Sequence, residues 1–216
     1  YANRLLVLIG LASMGVAGAL LLGQRDLKRM LAYSSVEQMG ILALATGLGA
    51  GATFATLLHL VNNALGKGAL FLAVGNVHRA FGGKTTGEVR GALRRLPVSG
   101  TIFLLSFFAV TGSPPFGLFV SEMLILKSVF AAHRWLVGGL FLAGLFVVFA
   151  GMGATSLAAL QGRPPASARA SSYRDGFATA APALLLLGLV LLFGLHLPAG
   201  IRNLIADAAA ALEVGR

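Results

Sequence analysis

Long apolar runs divide this sequence, and they constrain its fold more than any other feature. Hydrophobic residues make up 57% of the 216 residues and charged residues only 11%. A soluble domain carries roughly 25% charged residues, and the mean hydropathy here is +0.85. A helix needs about 20 apolar residues to cross the hydrocarbon core of a bilayer. Runs of that length therefore predict a membrane protein rather than a soluble one.

About six transmembrane helices are predicted, which gives an all-α, polytopic membrane helix bundle. The predicted spans are residues 5–24, 30–49, 52–77, 97–132, 135–160 and 177–198. A basic loop follows the third span at 78–96, and a loop rich in Pro, Ala, Ser and Arg lies at 161–176. Residues 199–212 have the pattern of an amphipathic tail. Because an apolar span follows Tyr1 at once with no signal peptide before it, we expect a fragment that begins within a longer protein.

The run 97–132 is too long for one straight span. At ~1.5 Å per residue it would form a helix about 54 Å long, which overshoots the bilayer. Ser113, Pro114, Pro115 and Gly117 lie near its middle. The two prolines remove backbone donors, and Pro114 restricts Ser113 to extended geometry, so we expect the helix to break there. A hairpin of two short spans is the alternative, but two spans of about 17 residues leave almost nothing for a turn.

Basic residues between the spans predict the orientation. With one broken span, the loops alternate between the two sides of the membrane. One side then holds 11 basic residues: Arg25, Lys28, Arg29, Arg79, Lys84, Arg90, Arg94, Arg95, Arg163, Arg169 and Arg174. The other side holds four: Arg4, Arg134, Arg202 and Arg216. The richer side is predicted to be cytoplasmic and both ends of the chain periplasmic. In a hairpin, Arg163, Arg169 and Arg174 exchange sides with Arg134, Arg202 and Arg216. The count is again 11 against 4, so charge does not separate the two topologies.

Several function classes are excluded by composition. The net charge of +10 is explained by the basic loops, so we expect no nucleic-acid partner. The chain has no cysteine, which excludes disulfides, zinc–thiolate sites and cysteine-ligated iron–sulfur clusters within it. No nucleophile–base pair or phosphate-binding loop is recognised. We expect no cofactor and no metal in this chain, and any redox chemistry in other subunits; whether it is part of an enzyme stays open.

Polar residues inside the third span form a stripe. His59, Asn63 and Lys67 are spaced i, i+4, i+8, which places them on one helix face about 6 Å apart along the axis. His exchanges a proton near neutral pH, and Lys does so when burial lowers its pKa. Asn63 can orient water but cannot carry a proton. The stripe therefore indicates a proton pathway; polar helix packing without transport is the alternative.

Three further ionisable residues complete the candidate pathway. Glu122 follows the break by seven residues, and broken helices in transporters line ion sites. It is the expected partner of a proton or of Lys67, and a static pair with Lys67 is the alternative. Glu37 near the start of the second span is a further candidate. Lys127 lies near the membrane edge and either joins the pathway or extends to the interface.

Three stretches carry a resemblance to a known family. Residues 25–40, RDLKRMLAYSSVEQMG, resemble the DLKR-x-x-AYSS-x-x-x-MG signature of the antiporter-like subunits of respiratory complex I, which are related to multisubunit cation/proton antiporters of the Mrp type. Residues 59–72, HLVNNALGKGALFL, are similar to that family's channel helix. Residues 112–122, GSPPFGLFVSE, are similar to its broken helix. Val-Glu in the first stretch and Pro-Pro-Phe-Gly in the third look most like the corresponding residues of membrane component F of hydrogenase-4, from formate hydrogenlyase-type complexes.

The resemblance implies a fold and a set of roles. Such subunits contain two inverted five-helix repeats, each with a broken helix; residues 1–160 match the second repeat, 161–176 a cytoplasmic loop, and 177–216 a terminal helix and tail. By resemblance, Lys67 is the central channel lysine, His59 its histidine neighbour and Glu122 the terminal ionisable group. Two departures are Asn63 and Gln38, which stand where some relatives have histidine. They imply that water carries more of the proton path.

The sequence as a whole predicts a proton-translocating membrane subunit of a hydrogenase-4-like respiratory complex. Expected partners are other membrane subunits, a peripheral hydrogenase-like redox arm, the lipid bilayer, and protons or sodium ions. The expected location is a bacterial or archaeal plasma membrane. The alternatives are a subunit of NADH:quinone oxidoreductase, a subunit of a multisubunit Na⁺/H⁺ antiporter, and a purely structural membrane anchor.

Overall fold

A computed structural model describes residues 1–166 and 172–214. Within them the chain forms nine α-helices, which we number α1 (Ala2–Leu21), α2 (Leu27–Leu48), α3 (Thr53–Phe81), α4 (Ala92–Arg95), α5 (Pro97–Val110), α6 (Gly117–Ala131), α7 (Trp135–Leu160), α8 (Phe177–Leu195) and α9 (Ala199–Val214). The 3₁₀ turn Ala50–Ala52 joins α2 to α3. Positions 167–171 of the predicted loop and 215–216 of the predicted tail lie outside the described residues.

The predicted set of membrane spans is confirmed. Among the described residues, the helical segment Ala50–Phe81 and helices α1, α7 and α8 are long and apolar enough to cross a bilayer. Helix α2 has 22 residues and sufficient length, but its polar residues make it less apolar. Helices α5 and α6, with 14 and 15 residues, are the two halves of the broken span. The bundle therefore has about six spans, one of them interrupted.

The broken span crosses the bundle once. At the start of α5, the amide of Val98 donates to Asp175 Oδ2 at 2.9 Å. Near the end of α6, Ser128 Oγ donates to the carbonyl of Gly51 at 2.9 Å, in the turn at the far end of α2. Asp26, which begins α2, and Gly51, which follows it, are at opposite ends of the bundle.

The two basic loops lie at one end of the bundle. The amide of Gly91 donates to the carbonyl of Gln161 at 2.7 Å, and Arg95 Nη2 donates to the carbonyl of Tyr173 at 2.8 Å. The hairpin alternative requires these loops to lie on opposite sides of the membrane, so the structure excludes it. We call this end of the bundle, which also holds Asp26 and Lys84 as an ion pair at 3.6 Å, the basic end.

Close packing of α1 on α2 fixes the rotation of α2. A Cβ atom at Gly10 would lie 2.6 Å from the carbonyl oxygen of Gly40 and 2.6 Å from the amide nitrogen of Leu44. The two backbones are therefore in direct contact, as small residues allow in membrane helices. This contact leaves Ser34 and Gln38 on another face of α2, where they reach α3 and the end of α5.

Helix α3 is the central element of the bundle. It contacts α2, α5, α6, α8 and α9. Its polar residues are consequently enclosed by protein rather than lipid. The large side chains of Phe103 and Phe107 on α5 and of Phe141 on α7 are fully buried within the bundle.

Candidate functional site

Side chains of α2 and α3 form hydrogen bonds with the backbone at the two ends of the helix break. Helix α5 ends at Val110 and α6 begins at Gly117. The carbonyl of Val110 accepts a hydrogen bond from Gln38 Nε2 at 3.1 Å, and that of Gly117 accepts one from Asn62 Nδ2 at 2.9 Å. Gln38 thus satisfies the carbonyl that the end of α5 leaves free, as a non-helical segment at membrane depth requires. The Gly117 carbonyl lies in the first turn of α6, and Asn62 holds the start of that helix against α3.

Gly112 makes room for Glu122. Its φ of +64° is in the left-handed region that disfavours side chains. A Cβ atom there would lie 1.8 Å from Glu122 Oε2 and 2.9 Å from Oε1. The carboxyl group is therefore packed directly against the backbone of the break. Glu122 is buried, and its Oε1 has no hydrogen-bond partner among the described residues.

His59 joins three helices. It is fully buried on α3. Its Nδ1 lies 2.9 Å from Ser121 Oγ on α6, and its Nε2 lies 2.9 Å from Gln38 Oε1 on α2. Because Gln38 also bonds the carbonyl of Val110, the histidine is connected through one amide to the helix break.

Lys67 is buried beside α2. Its Nζ donates to Ser34 Oγ, and that hydroxyl donates to the carbonyl of Leu31 at 2.9 Å. Glu37, one turn along α2 and also buried, is near enough to interact with the charge of Lys67, although the two form no ion pair within 4.0 Å. The expected pairing of Lys67 with Glu122 is not formed. Within the described part of the chain, the one ion pair closer than 4.0 Å is at the basic end, far from either residue.

The remaining predicted pathway residues take two different positions. Asn63 is buried between His59 and Lys67 on α3, and its Oδ1 has no hydrogen-bond partner among the described residues. Lys127 is exposed instead, at a surface depression of about 500 Å³ that Gly51 and Ser128 also line. The structure thus gathers Glu37, His59, Asn63, Lys67 and Glu122 near the break and leaves Lys127 outside.

The break has an apolar side as well as a polar one. Pro114 and Pro115 are exposed and line a groove of about 680 Å³ together with Leu184 and Leu191 of α8. A Cβ atom at Gly194 would lie 1.9 Å from the carbonyl oxygen of Pro115, so α8 packs directly on the break. The prolines therefore face α8 and the apolar groove, and the ionisable residues lie on the side of α2 and α3.

Sequence reasoning missed four contributors to this site. Ser34, Asn62, Gly112 and Ser121 were given no role. Ser34, Gly112 and Ser121 contact the ionisable groups, and Asn62 bonds the backbone at the start of α6. Signals were present for three of them. Ser34 lies within the AYSS stretch, Gly112 directly precedes the break, and Ser121 directly precedes Glu122. No such signal marked Asn62, the neighbour of Asn63, because the helix that its side chain reaches depends on the rotation of α3.

A broken helix packed beside buried ionisable residues defines a polytopic membrane protein of the antiporter-like class. The fold matches the Mrp complex from Dietzia sp. DQ12-45-1b with a TM-score of 0.85 at 23% identity, over 98% of this chain and 47% of that chain. It matches respiratory complex I from Thermus thermophilus with a TM-score of 0.79 at 24% identity, over 98% of this chain and 45% of that one.

The sequence identifies the family. Residues 1–149 match the family described as NADH:quinone oxidoreductase/Mrp antiporter, transmembrane. The chain belongs to this family. The resemblance predicted from residues 25–40, 59–72 and 112–122 is therefore confirmed, and so is the location in a membrane.

Two similar proteins of known sequence belong to different kinds of complex, a hydrogenase-4 and a Na⁺/H⁺ antiporter. The chain is 40% identical over 131 residues to a hydrogenase-4 component F homolog of Methylacidiphilum infernorum, and the match covers 60% of this chain and 28% of that protein. It is 33% identical over 141 residues to Na⁺/H⁺ antiporter subunit A1 of Staphylococcus aureus, which covers 59% of this chain and 18% of that protein. The matched region is thus less than a third of either relative's length.

Proposed function

We propose that this chain is the proton-conducting part of a membrane subunit in a hydrogenase-4-like respiratory complex. One observation carries the proposal: Glu37, His59, Lys67 and Glu122 are only 2%, 0%, 8% and 2% exposed, and they gather beside a broken helix. An ionisable group within a bilayer costs several kcal/mol, and such groups mark ion or proton pathways. A structural anchor has no need of four of them in one place.

The contacts suggest how a proton is passed along. Lys67 and Glu37 form one exchanging pair, with Ser34 orienting the amine. His59 is the next residue to carry the proton, and it is hydrogen-bonded to both α2 and α6. Glu122 is the last, seated on the backbone of the break. Asn63 Oδ1 and Glu122 Oε1, which have no hydrogen-bond partner among the described residues, are acceptors for water between these proton-carrying residues.

The setting of the chain is also proposed. Residues 1–160 form the second antiporter-like repeat, 161–176 a cytoplasmic loop, and 177–216 a terminal helix and tail. The partners are further membrane subunits and a hydrogenase-like redox arm. The proposal is supported by the 40% identity to a hydrogenase-4 component F homolog. Nickel–iron hydrogenase genes beside this gene would support it, and Mrp genes there would favour the Na⁺/H⁺ antiporter alternative.

Substitution of Lys67 is the decisive experiment. Lys67→Ala should abolish proton uptake by inverted vesicles that contain the full complex, while assembly persists. Lys67→Arg should also fail, because a guanidinium does not release its proton. Lys84→Ala, which removes an exposed lysine at the basic end, is the matched control. Wild-type proton-to-electron ratios in Lys67→Arg would leave only the structural-anchor alternative.

Glu122 offers a graded second test. Glu122→Gln should lower proton uptake about a hundredfold or more, the lower end of what proton-transferring groups contribute. Glu122→Asp should retain part of the activity, since it keeps the carboxyl group but withdraws it from Gly112. Lys127→Ala serves as comparison: the exposed position of Lys127 leads us to expect uptake close to wild type. Equal losses in Glu122→Gln and Lys127→Ala would contradict this assignment.

A further inference from the structure

We infer that Ser121 makes Nδ1 the proton-exchanging atom of His59, and that Gln38 keeps a proton on Nε2 throughout. The inference rests on the proposed function and adds to it two positioning residues and the identity of the exchanging nitrogen. It is carried by a chain of four hydrogen bonds that runs from the carbonyl of Val110, through Gln38, His59 and Ser121, to the carbonyl of Leu118.

The orientation of the Gln38 amide comes first. One end of the amide lies 3.1 Å from the carbonyl oxygen of Val110, which can only accept a hydrogen bond. That end is therefore the NH₂ group. The other end, 2.9 Å from His59 Nε2, is consequently the amide oxygen, which also can only accept. A bare Nε2 would set two lone pairs against each other, so Nε2 carries hydrogen.

The hydroxyl of Ser121 is able to reverse its role. It lies 2.9 Å from His59 Nδ1 and 2.9 Å from the carbonyl of Leu118. When His59 is neutral, the hydroxyl donates to Nδ1. When His59 is protonated, Nδ1–H donates to Ser121 Oγ and the hydroxyl turns to donate to Leu118. A hydroxyl is both donor and acceptor, so both protonation states of the imidazole are satisfied.

The consequence is a proton site that changes charge without moving a heavy atom. Between the two states Ser121 Oγ passes its hydrogen to Nδ1 and takes up one proton from Glu122 or from a water of the proposed pathway, and the new hydroxyl hydrogen points to Leu118; release of the proton reverses this step. The exchange takes place on the α6 side of the imidazole, where Glu122 follows Ser121 directly in the chain. Gln38, on the α2 side, takes no part in the transfer and holds the tautomer. A histidine with a purely structural role requires only one of the two states.

The tautomer is the first measurement. In the full subunit within its complex, ¹⁵N-labelled histidine is observed by solid-state NMR, and the His59 signals are assigned by their absence in His59→Gln. We expect Nε2–H in all His59 signals of the wild-type protein. A neutral His59 with hydrogen on Nδ1 and a bare Nε2 would overturn the inference. This readout is independent of transport and of the folding of any Ser121 variant.

Substitutions then test the two positioning residues. Gln38→Met removes the fixed acceptor, so both neutral tautomers of His59 should appear in its spectrum. Ser121→Ala leaves Nδ1 without a partner in either state and should slow proton uptake about tenfold, the effect of one buried group left unpaired. Ser121→Thr, which keeps the hydroxyl, should restore most of the rate. Ser156→Ala, which removes a buried hydroxyl whose contact is Met30 Sδ at 3.5 Å, is the control.

The outcomes separate this inference from the proposed function. Wild-type uptake in Ser121→Ala, with uptake abolished in Lys67→Ala, would overturn the role of Ser121 and leave proton conduction standing. A single wild-type tautomer in Gln38→Met would overturn the role of Gln38. Wild-type uptake in Lys67→Ala and Lys67→Arg would remove the proposed function, whatever the tautomer of His59.

Discussion

A side chain at position 112 would compete with Glu122 for the same space. Glycine there meets two separate requirements: the backbone has φ of +64°, and the carboxyl oxygens of Glu122 occupy the position of a Cβ atom. The left-handed conformation alone costs other residues about 1–2 kcal/mol. The second requirement concerns the site, because a displaced carboxyl group no longer rests on the break.

Gly112→Ala separates these two requirements when it is compared with Gly23→Ala. Gly23 also has a positive φ, of 75°, but a Cβ atom there would meet nothing within 4 Å. Both variants should lose about 1–2 kcal/mol of stability from backbone strain. Only Gly112→Ala should also lower proton uptake, because it moves a proton-transferring group; the loss should approach the roughly hundredfold or more expected for Glu122→Gln. Equal uptake in the two variants would show that the packing of the Glu122 carboxyl group against Gly112 is irrelevant to transport.

At the level of helices, the packing of α1 on α2 sets which residues of α2 face the interior. Gly10 and Gly40 bring the two backbones into contact, and Ser34 and Gln38, on another face of α2, are consequently turned towards α3 and the break. In a bilayer this close approach is a main source of helix association, since lipid tails are as apolar as the side chains they replace.

Gly10→Ala should therefore separate α1 from α2. Its Cβ would meet backbone atoms at 2.6 Å, which cannot move aside as a side chain can. We expect a loss of roughly 1–3 kcal/mol, as for overpacked cores, measured as the free energy of unfolding in detergent. Gly15→Ala on the same helix meets nothing within 4 Å and should be neutral or slightly stabilising. A similar loss in both variants would point to helix propensity rather than packing.

The start of α5 is capped by a residue from a distant part of the chain. Asp175 accepts hydrogen bonds from the amides of Val98 and Ser99 at 2.9 and 3.2 Å and from Ser99 Oγ at 2.5 Å. Asp175→Ala should cost about 1 kcal/mol of stability, as for other N-caps, and Asp175→Asn much less. Thermal unfolding of the purified complex measures both. Asp207→Ala, at an exposed position of α9, is the control and should leave the midpoint unchanged.

For the whole molecule, the contacts between the two basic loops decide the number of crossings. Gly91 bonds Gln161 and Arg95 bonds Tyr173, so these loops share one side of the membrane. Their shared positive charge predicts that this side is cytoplasmic. The turn after α6 lies at the opposite end, next to the turn between α2 and α3.

Cysteine labelling tests this topology directly, because the chain has no cysteine of its own. Gly87→Cys and Ser172→Cys should react with a membrane-impermeant maleimide in inverted vesicles, and Ala132→Cys only in right-side-out ones. The three positions are exposed. Labelling of Gly87→Cys and Ser172→Cys from different sides would contradict the single crossing of α5 and α6. A complete reversal of the pattern would contradict the orientation alone.

The sequence by itself determined the features that depend on local composition. The spans follow from runs of about 20 apolar residues, and the break follows from Pro114 and Pro115, which cannot continue a helix. The stripe of His59, Asn63 and Lys67 follows from helical spacing. Each of these needs only residues that are close together in the chain, and each is present in the structure.

The tertiary structure alone decided which polar groups meet. His59 is 21 residues from Gln38 and 62 from Ser121, and Lys67 is 33 residues from Ser34. Sequence reasoning paired Lys67 with Glu122, whereas in the structure Lys67 donates a hydrogen bond to Ser34. Such contacts depend on the rotation and relative height of α2, α3 and α6. Backbone packing at Gly10 and the seating of the break against α3 and α8 fix these quantities, and no local pattern encodes them.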